Sequence, residues 1–288
     1  MSPASRRLVV VGAGGRMGRA VVRLAPEYGL ALVHAVSADD QGKDAGELAG
    51  AGRSGVIVQG SPASLADVGA DVVIEFASPA ATVETCAAAA SAGLAIVSGT
   101  TGLGDDARVA LDRAAGRVPV LWEPNMSVGV HVLGRLVAEA ARLLGPEVAV
   151  EITETHHDRK ADSPSGTALR LAEAVQGARA GAFLVHGRSG AVGARQPGEI
   201  GMHAIRGGDV VGDHTVMFLA QGERIELSHR ASSRDLFARG ALAAAAWISG
   251  KPAGRYGLAD VLAGRAGSVA APPSASPRAS RHGSEGPR

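Results

Sequence analysis

The sequence predicts an α/β protein with a doubly wound parallel sheet, followed by an α+β unit built on a mixed sheet. Over the first 120 residues, short apolar runs alternate with segments of helical spacing, a pattern typical of parallel strands joined by crossover helices. After Asn125 the pattern changes to one long helix and then to longer strands joined by tight glycine turns. A chain of 288 residues can hold two such units, because a domain commonly has roughly 100 to 200 residues.

The strands of the first unit are predicted from runs rich in Val and Ile that are bordered by Gly or Pro, a combination that favours strands over short buried helices. Helices are predicted where apolar residues recur at helical spacing between these runs. The predicted strands are 8–11, 30–36, 56–58, 72–76, 94–97 and 118–121, and the predicted helices are 17–24, about 80–91 and about 105–115.

The second unit is predicted to begin with a long helix and a strand that leads directly into a His-His segment. Three later strands are separated by tight glycine turns, and a final helix follows them. Because a helix returns after the second sheet, we expect the chain to cross back and pack on the first unit. The predicted elements are helix 128–144, strand 147–154, helix 168–175, strands 200–205, 210–220 and 223–229, and helix 234–249.

The composition is that of a soluble globular protein, with 46% hydrophobic and 20% charged residues. Aromatic residues make up only 3% and the net charge is +1, which gives no basis for a nucleic-acid or membrane partner. The single cysteine, Cys86, lies in an alanine-rich run. It is expected to be a small buried thiol, and no disulfide is possible within the chain.

The two ends of the chain are expected to contribute little to a core. The amino-terminal apolar run, residues 8–11, is too short for a secretory signal or a membrane span, so we expect a cytoplasmic protein. Residues 266–288 are mostly Ser, Pro, Ala, Gly and Arg, with almost nothing to bury. They are expected to form a disordered tail.

A glycine-rich turn follows the first predicted strand and opens the first predicted helix. It reads Gly-Ala-Gly-Gly-Arg-Met-Gly over residues 12–18. Glycines suit a tight turn, a close approach of backbone to a pyrophosphate, and a helix packed against its strand. The free N–H groups and the dipole at the helix N-terminus would attract the phosphates. The turn therefore predicts a dinucleotide-binding domain, with an ordinary glycine turn as the alternative.

The residues at the end of the second strand do not decide between NADH and NADPH. An acidic residue that binds the ribose hydroxyls of NAD is expected about twenty residues after the glycine turn. Here Ser37 follows the strand, and Asp39 and Asp40 come slightly later. Either the acid is displaced, or Ser37 contacts a ribose or phosphate oxygen while Arg16 supplies charge for a 2′-phosphate.

Two further loops follow strands of the predicted sheet on the cofactor side. They are Ser-Gly-Thr-Thr-Gly at 98–102 and Glu-Pro-Asn-Met-Ser at 123–127. Ligands of open α/β sheets bind outside the carboxyl ends of the strands, so both loops are placed to meet the nicotinamide half of the cofactor. Plain loop chemistry is the alternative for either loop alone.

The segment 154–167 is the best candidate for an active site. His156 and His157 titrate near neutral pH, Lys160 adds a cationic donor, and Ser-Gly-Thr at 165–167 opens a helix that can receive an anion. An isolated His-His pair is more often a surface feature, but the neighbouring lysine and helix start favour a site. The other histidines lack the spacing of a zinc motif, so no metal is expected. Arg206 could bind substrate, an interface or solvent.

Together these segments resemble the dihydrodipicolinate reductase family, the nicotinamide-dependent 4-hydroxy-tetrahydrodipicolinate reductases of bacterial and plant lysine and diaminopimelate biosynthesis. The resemblance covers about residues 7–262, and its most specific motif is His-His-x-x-Lys-x-Asp-x-Pro-Ser-Gly-Thr, which begins at His156. The chain departs from the family pattern at Ser37, Ala38, Glu75 and Glu123. The remaining matching segments are 12–18, 44–50, 98–102, 124–130, 198–209 and 229–234.

The resemblance implies a Rossmann domain over residues 1–126, completed by about 233–265, and a substrate-binding and oligomerisation domain over 127–232 that assembles a homotetramer. His156 would be the proton donor or acceptor and Lys160 a second acid. The dicarboxylate substrate would be bound by His157, Ser165, Gly166 and Thr167. The expected cofactor-binding residues are Gly12, Ala13, Gly14, Gly15, Arg16, Met17, Ser37, Gly99, Thr100, Thr101, Glu123, Pro124, Asn125 and Met126.

The implied reaction is a reduction by NADH or NADPH in which hydride reaches the C4 side of the substrate ring and a hydroxyl leaves as water. Protons would come from the second domain, and a positioned acid typically contributes roughly 10²- to 10⁴-fold to such a rate. Two other readings stay open: a catalytically inactive NAD(P)-sensing protein of the same fold, and another two-domain NAD(P)-dependent dehydrogenase of amino-acid metabolism. The intact His-His, Lys and Ser-Gly-Thr residues favour the reductase.

Overall fold

The computed structural model describes residues 5–65 and 68–266, which contain two separate β-sheets. All six strands of the first sheet are parallel, and their order is β11-β5-β4-β3-β1-β2. These strands are β1 (Arg6–Val11), β2 (Leu30–Val36), β3 (Val72–Glu75), β4 (Ala95–Ser98), β5 (Pro119–Trp122) and β11 (Gly254–Tyr256).

Helices cover both faces of the first sheet, as a doubly wound fold requires. In β1, Leu8 and Val10 belong to one core, while Val9 and Val11 belong to the other. A strand buried on both faces reads as a continuous apolar run because successive side chains point to opposite sides. One face carries α1 (Arg16–Leu24) and α7 (Asp235–Ile248), and the other carries α3 (Pro79–Ala92) and α4 (Asp105–Ala115).

The second sheet is mixed and has the order β10-β9-β6-β8-β7. Its central strand, β6, pairs parallel with β8 and antiparallel with β9. Helices α5 (Val128–Leu144) and α6 (Gly166–Ala178) cover one face and form a third core with it. The strands are β6 (Ala149–His156), β7 (Phe183–His186), β8 (Glu199–Arg206), β9 (Gly212–Leu219) and β10 (Arg224–Ala231).

The chain returns to the first sheet after β10, as the final predicted helix implied. Helix α7 packs on α1, and β11 pairs with β5, with Tyr256 opposite Leu121. The helix α8 (Leu258–Ala266) then packs on α7. Both connections between the sheets, near residues 125–128 and 231–235, therefore lie beside the carboxyl ends of the first sheet's strands. No helix within the described residues combines the length and the hydropathy needed to cross a bilayer.

One predicted strand is absent from the structure, and several predicted bounds shift by one to three residues. The predicted strand 56–58 is wrong, because only isolated bridges form there, from Ile57 to Asp44 and from Gln59 to Val36. The loop before it curls around the Asp44 carboxylate, which accepts hydrogen bonds from the N–H groups of Ser54 and Gly55, so no ladder develops. Strand β6 starts at Ala149 and ends at His156 rather than spanning 147–154.

The elements that the sequence did not predict are short or peripheral. They are β7, β11, α8, the single-turn helix α2 (Ala45–Leu48) and two short 3₁₀ helices, Ala25–Tyr28 and Pro62–Leu65. Short elements carry too few periodic positions to give a sequence signal. The described residues end at Ala266, the last residue of α8. The rest of the predicted disordered tail, 266–288, lies outside them.

Candidate active site

A cleft of about 900 Å³ opens where the carboxyl ends of the parallel strands face the start of α6. The loops after β1, β3, β4 and β5 line one side, and the segment after β6 lines the other, which is the ligand position expected for an open α/β sheet. The predicted residues that line it are Gly15, Arg16, Met17, Gly99, Thr100, Thr101, Pro124, Asn125, Met126, His156, His157, Lys160, Ser165, Gly166 and Thr167.

The glycine turn has the shape that a pyrophosphate needs. Gly12 has φ +83°, and a Cβ there would collide with the Phe76 carbonyl oxygen; a Cβ at Gly18 would collide with the Gly12 carbonyl. Gly15 caps α1 with no side-chain hydrogen bond, and the first turn of α1 carries no acidic residue. The N–H groups of that turn are therefore available to an anion, and the residues present fit a dinucleotide.

Four of the predicted cofactor-binding residues are not part of the cleft lining: Gly12, Ala13, Gly14 and Ser37. The Ser37 hydroxyl donates to Asp40 Oδ2 at 3.4 Å, and a Cβ at Gly14 would collide with that carboxylate. Of the two acids after β2, the structure thus brings Asp40 against the turn.

Lys43 and Arg19 provide positive charge at this end of the site. Lys43 Nζ lies 2.8 Å from Asp40 Oδ1, and this hydrogen bond holds the pKa of Asp40 below its usual range. Arg19 donates to the Gly14 carbonyl at 2.7 Å and adds to the same shift. Arg16, which one of the two alternatives assigned to a 2′-phosphate, lines the cleft.

A buried carboxylate holds the loop after β4 in place. Glu75 is fully buried and accepts hydrogen bonds from Ser98 Oγ at 2.6 Å, from the Ala77 N–H at 2.8 Å, and from the hydroxyls of Thr82 and Thr100. The Thr100 hydroxyl is therefore engaged by the protein. The sequence marked Glu75 only as a departure from the family, because its three hydroxyl partners lie on other elements.

Asn125 joins the two sides of the cleft. Its side-chain Nδ2 donates to Thr167 Oγ1 at 2.9 Å, while its Oδ1 accepts from the Ser127 N–H at 2.9 Å. A residue predicted from the cofactor loop thus contacts a residue predicted from the substrate segment. Glu123 does not line the cleft; Glu123 Oε2 lies 3.8 Å from Nη1 of Arg170, which does.

Glu154 and Arg206 lie directly behind His156. As the last residue of β6, His156 points to the same face as Glu154, two residues earlier, and its Nδ1 lies 2.5 Å from Glu154 Oε2. Arg206 donates to both oxygens of this carboxylate at 2.8 Å, so its guanidinium is engaged by the protein although 21% of the side chain is exposed. The sequence missed Glu154, although the alternation of the strand could have placed it beside His156.

Burial and charge act against each other at this carboxylate. Burial favours the neutral form of Glu154, but the hydrogen bonds from Arg206 and His156 outweigh it, and the pKa of Glu154 lies below its usual value. Close by, His214 packs edge-on against the His156 ring at 5.1 Å, and burial lowers the pKa of His214 to about 4. The His214 imidazole is therefore neutral at physiological pH.

The rest of the cleft wall is positively charged. Lys160 Nζ contacts both oxygens of the exposed Asp162, at 2.7 and 2.8 Å. His157 Nε2 lies 3.2 Å from Arg234 Nη2; burial, followed by the charge of Arg234, lowers the pKa of His157. The sequence did not single out Arg170 or Arg234 as site residues, although Arg234 ends one of the matching segments.

The start of α6 lines the same corner of the cleft. Ser165 is its N-cap, and its Oγ accepts from the Ala168 N–H at 3.1 Å. The first turn has no acidic residue, so the N–H groups at Gly166 and Thr167 face the cleft without a competing carboxylate. In the described parts of the chain, no group of three or more His, Cys, Asp or Glu side chains is arranged to hold a metal ion.

The fold and the site together define an NAD(P)-dependent oxidoreductase in which a dinucleotide-binding sheet faces a separate anion-binding site. Residues 6–126 match the family model described as dihydrodipicolinate reductase, N-terminus, and residues 129–262 match the one described as dihydrodipicolinate reductase, C-terminus. The chain belongs to the dihydrodipicolinate reductase family.

Curated relatives agree with this assignment. The chain is 52% identical over 269 residues to a 4-hydroxy-tetrahydrodipicolinate reductase of Anaeromyxobacter dehalogenans, covering 91% of this chain and 99% of the relative. It is 46% identical over 267 residues to the protein of the same name from Acinetobacter baumannii, covering 90% and 97%.

In fold, the chain is similar to a dipicolinate-bound dihydrodipicolinate reductase from Paenisporosarcina sp. TG-14, with a TM-score of 0.68, 24% identity, and coverage of 88% of this chain and 97% of the other. An amine dehydrogenase from Mycobacterium smegmatis is more distant, with a TM-score of 0.53, 14% identity and coverage of 87% and 94%.

Proposed function

We propose that this protein reduces 4-hydroxy-tetrahydrodipicolinate to tetrahydrodipicolinate with NADH or NADPH, in the diaminopimelate route to lysine. The observation that carries the proposal is a single cleft that joins the glycine turn to His156, Lys160 and the Ser-Gly-Thr start of α6. Relatives that are 46 to 52% identical and carry the name of this reductase support it.

The cofactor is proposed to lie across the carboxyl ends of the first sheet. Residues 12–17 would hold its pyrophosphate, Ser37 with Asp40 would face the adenosine ribose, and the loops at 99–101 and 123–126 would meet the nicotinamide. When bound, reduced nicotinamide supplies the hydride. The protein's part is to hold the substrate ring beside it and to keep both loops rigid, which the Glu75 and Asn125 hydrogen bonds support.

The substrate's two carboxylates are proposed to occupy the positive corner of the cleft. The N–H groups of Gly166 and Thr167 would hold one of them, with Ser165 as the N-cap that fixes the turn. His157, Lys160 and Arg234 offer donors for the remaining oxygens.

His156 is proposed as the main proton donor. Its Nδ1 is engaged by Glu154, while Nε2 has no hydrogen-bond partner in the described part of the chain, so Nε2 is the nitrogen that can exchange a proton with substrate. The departing hydroxyl needs one proton to leave as water, which imidazole can supply near neutral pH. Lys160 is proposed as a second acid, or as a carboxylate ligand once substrate displaces Asp162.

The test is oxidation of NADH and of NADPH with enzymatically generated 4-hydroxy-tetrahydrodipicolinate. We expect turnover with at least one cofactor, and we expect His156→Gln and Lys160→Ala to lower kcat by about 10²-fold or more while NADH binding persists. Undiminished turnover in both variants would refute the assigned roles. Cofactor binding by the parent protein without any turnover would favour the inactive sensing protein, and turnover only with other amino-acid substrates would favour a different dehydrogenase.

The open face of the mixed sheet is proposed to assemble a homotetramer. Helices cover one face of this sheet, whereas Ile205, which pairs with Thr155 on the other face, is 52% exposed. Apolar side chains on an uncovered sheet face are suited to pairing with a second copy. Light scattering should give a tetramer that Ile205→Glu dissociates, and a monomeric parent protein would refute the proposal. We also propose a cytoplasmic location, which cell fractionation tests.

A further inference from the structure

The Glu154 carboxylate connects three elements of the proposed site. It accepts from His156 on its own strand, from Arg206 on β8, and from the Ser165 N–H at the start of α6, the last at 3.0 Å. The side chain is completely buried. A buried carboxylate with every oxygen engaged has a fixed position, so the groups that bind to it are fixed as well.

We propose that Glu154 is a positioning residue that fixes the tautomer and the ring orientation of His156. The proposal rests on the proposed function, in which His156 Nε2 exchanges a proton with substrate. An ionised carboxylate only accepts hydrogen bonds, so the imidazole must carry a hydrogen on Nδ1 to keep the 2.5 Å contact. In the neutral ring, Nε2 is then the free base that takes up a proton and delivers it.

The surroundings of the ring oppose any other orientation. The His214 ring packs edge-on at an interplanar angle of 76°. Gly212 leaves space beside the ring, since a Cβ there would lie only 2.9 Å from His156 Nε2. A ring held by a hydrogen bond at Nδ1 and by packing on its sides loses little entropy when substrate arrives.

Arg206 keeps the carboxylate in the form that this role requires. Its two hydrogen bonds offset the desolvation of Glu154 and stabilise the ionised state. Arg206 also donates to the Asp162 carbonyl at 2.7 Å, and the Asp162 side chain binds Lys160. Glu154 is thus a charged group in contact with the His156 ring, Arg206 lies behind it, and His214 is a neutral neighbour.

The first experiment compares Glu154→Gln with Glu151→Gln. In Glu154→Gln the side-chain amide keeps an acceptor for the Ser165 N–H but no longer offers a carboxylate to Nδ1. We expect kcat to fall by about 10²-fold, with smaller changes in KM and in NADH affinity. Glu151 is the matched control: it lies on the same strand, on the opposite face, with His203 Nε2 at 2.7 Å and Arg188 at 3.0 Å, and we expect turnover to persist. An equal loss in both variants would overturn the proposal.

The second experiment reads the tautomer directly by NMR of isotope-labelled imidazole nitrogens, with the His156 signals assigned from the His156→Gln spectrum. We expect a protonated Nδ1 in the parent and a shift of the hydrogen toward Nε2 in Glu154→Gln. If Glu154→Gln does not fold, Glu154→Asp keeps the charge beside Arg206, and its longer gap to Nδ1 should still change the His156 signals. Unchanged His156 signals would refute the positioning role.

A double-variant cycle separates this inference from the proposed function. If Glu154 acts through His156, Glu154→Gln should cost no further kcat in the His156→Gln background. Full turnover of His156→Gln would refute the role of His156 itself. Loss of turnover in His156→Gln together with full turnover and an unchanged tautomer in Glu154→Gln would refute only the inference about Glu154.

Discussion

The two sides of the cleft each contain a fully buried glutamate, but the partners of these carboxylates differ. Glu75, on the cofactor side, accepts only from hydroxyls and a backbone N–H. Glu154, on the substrate side, accepts from Arg206, from the imidazole of His156 and from one backbone N–H. The neutral donors around Glu75 hold a loop in its shape. The donors around Glu154 include a guanidinium and an imidazole, so the local charge changes when a proton is gained or lost.

This difference extends to the rest of each side. The cofactor side depends on backbone shape at glycines, where no room exists for a side chain. The substrate side depends on titrating side chains and on the positive end of α6. Changes in side-chain volume should therefore impair the cofactor side most, and changes in pH should impair the substrate side most.

The largest effect is expected from Gly12→Ala. The added Cβ would collide with the Phe76 carbonyl oxygen, and φ +83° is strained for any L-residue with a side chain. We expect NADH binding, measured by fluorescence titration, to be lost while the mixed sheet keeps its fold. The matched control is Gly134→Ala within α5, where a Cβ would meet open space and binding should persist. Normal NADH binding by Gly12→Ala would contradict the assigned shape of the turn.

The second largest effect concerns stability in acid and belongs to the substrate side. The pKa of His214 is about 4 in the folded protein against 6.5 in the unfolded chain. Between these values only the unfolded chain takes up the proton, so the free energy of unfolding should fall as pH drops from 6.5 toward 4 and level off below. The full loss is on the order of 3 kcal/mol, from about 1.4 kcal/mol per pKa unit.

Urea unfolding across this pH range checks the expectation. His214→Gln should remove this part of the pH dependence, because an amide does not titrate. The control is His186→Gln, which changes an exposed histidine on β7. Parent and His214→Gln curves that run parallel from pH 6.5 to 4 would contradict the role given to His214.

Local sequence patterns were sufficient to predict most of the fold and the centre of the candidate site. The apolar run of β1, the glycine turn and the His-Lys-Ser-Gly-Thr segment are contiguous signals, and strand β2 and helix α5 have the predicted bounds. The prediction of a strand at 56–58 was wrong because three apolar residues cannot show whether a partner strand exists. The loop around Asp44 decides it instead.

Contacts between distant segments explain what the sequence could not supply. Arg206 is 52 residues from Glu154, and Arg234 is 77 residues from His157. Nothing in the local sequence of either arginine specifies its partner. The displaced acid after β2 is an intermediate case: the sequence offered Asp39 and Asp40, and only the folded loop brings one of them against Gly14.

The smallest effect is expected from Asp40, an acidic residue on the cofactor side. Its carboxylate lies beside Gly14 and Ser37, where an acid that binds the adenosine ribose would be placed. A 2′-phosphate there would meet a negative charge, so we expect NADH to bind more tightly than NADPH. Asp40→Ser removes the repulsion, and the ratio of the two dissociation constants should move about tenfold in favour of NADPH.

Asp39→Ser provides the matched control, because Asp39 is adjacent and exposed and should leave the ratio unchanged. Salt gives a second control, since added salt should shrink the parent's preference more than that of Asp40→Ser. A ratio that Asp40→Ser leaves unmoved, or that Asp39→Ser moves equally, would show that Lys43 and Arg19 already neutralise the carboxylate. Cofactor choice would then depend on shape, like the rest of that side of the cleft.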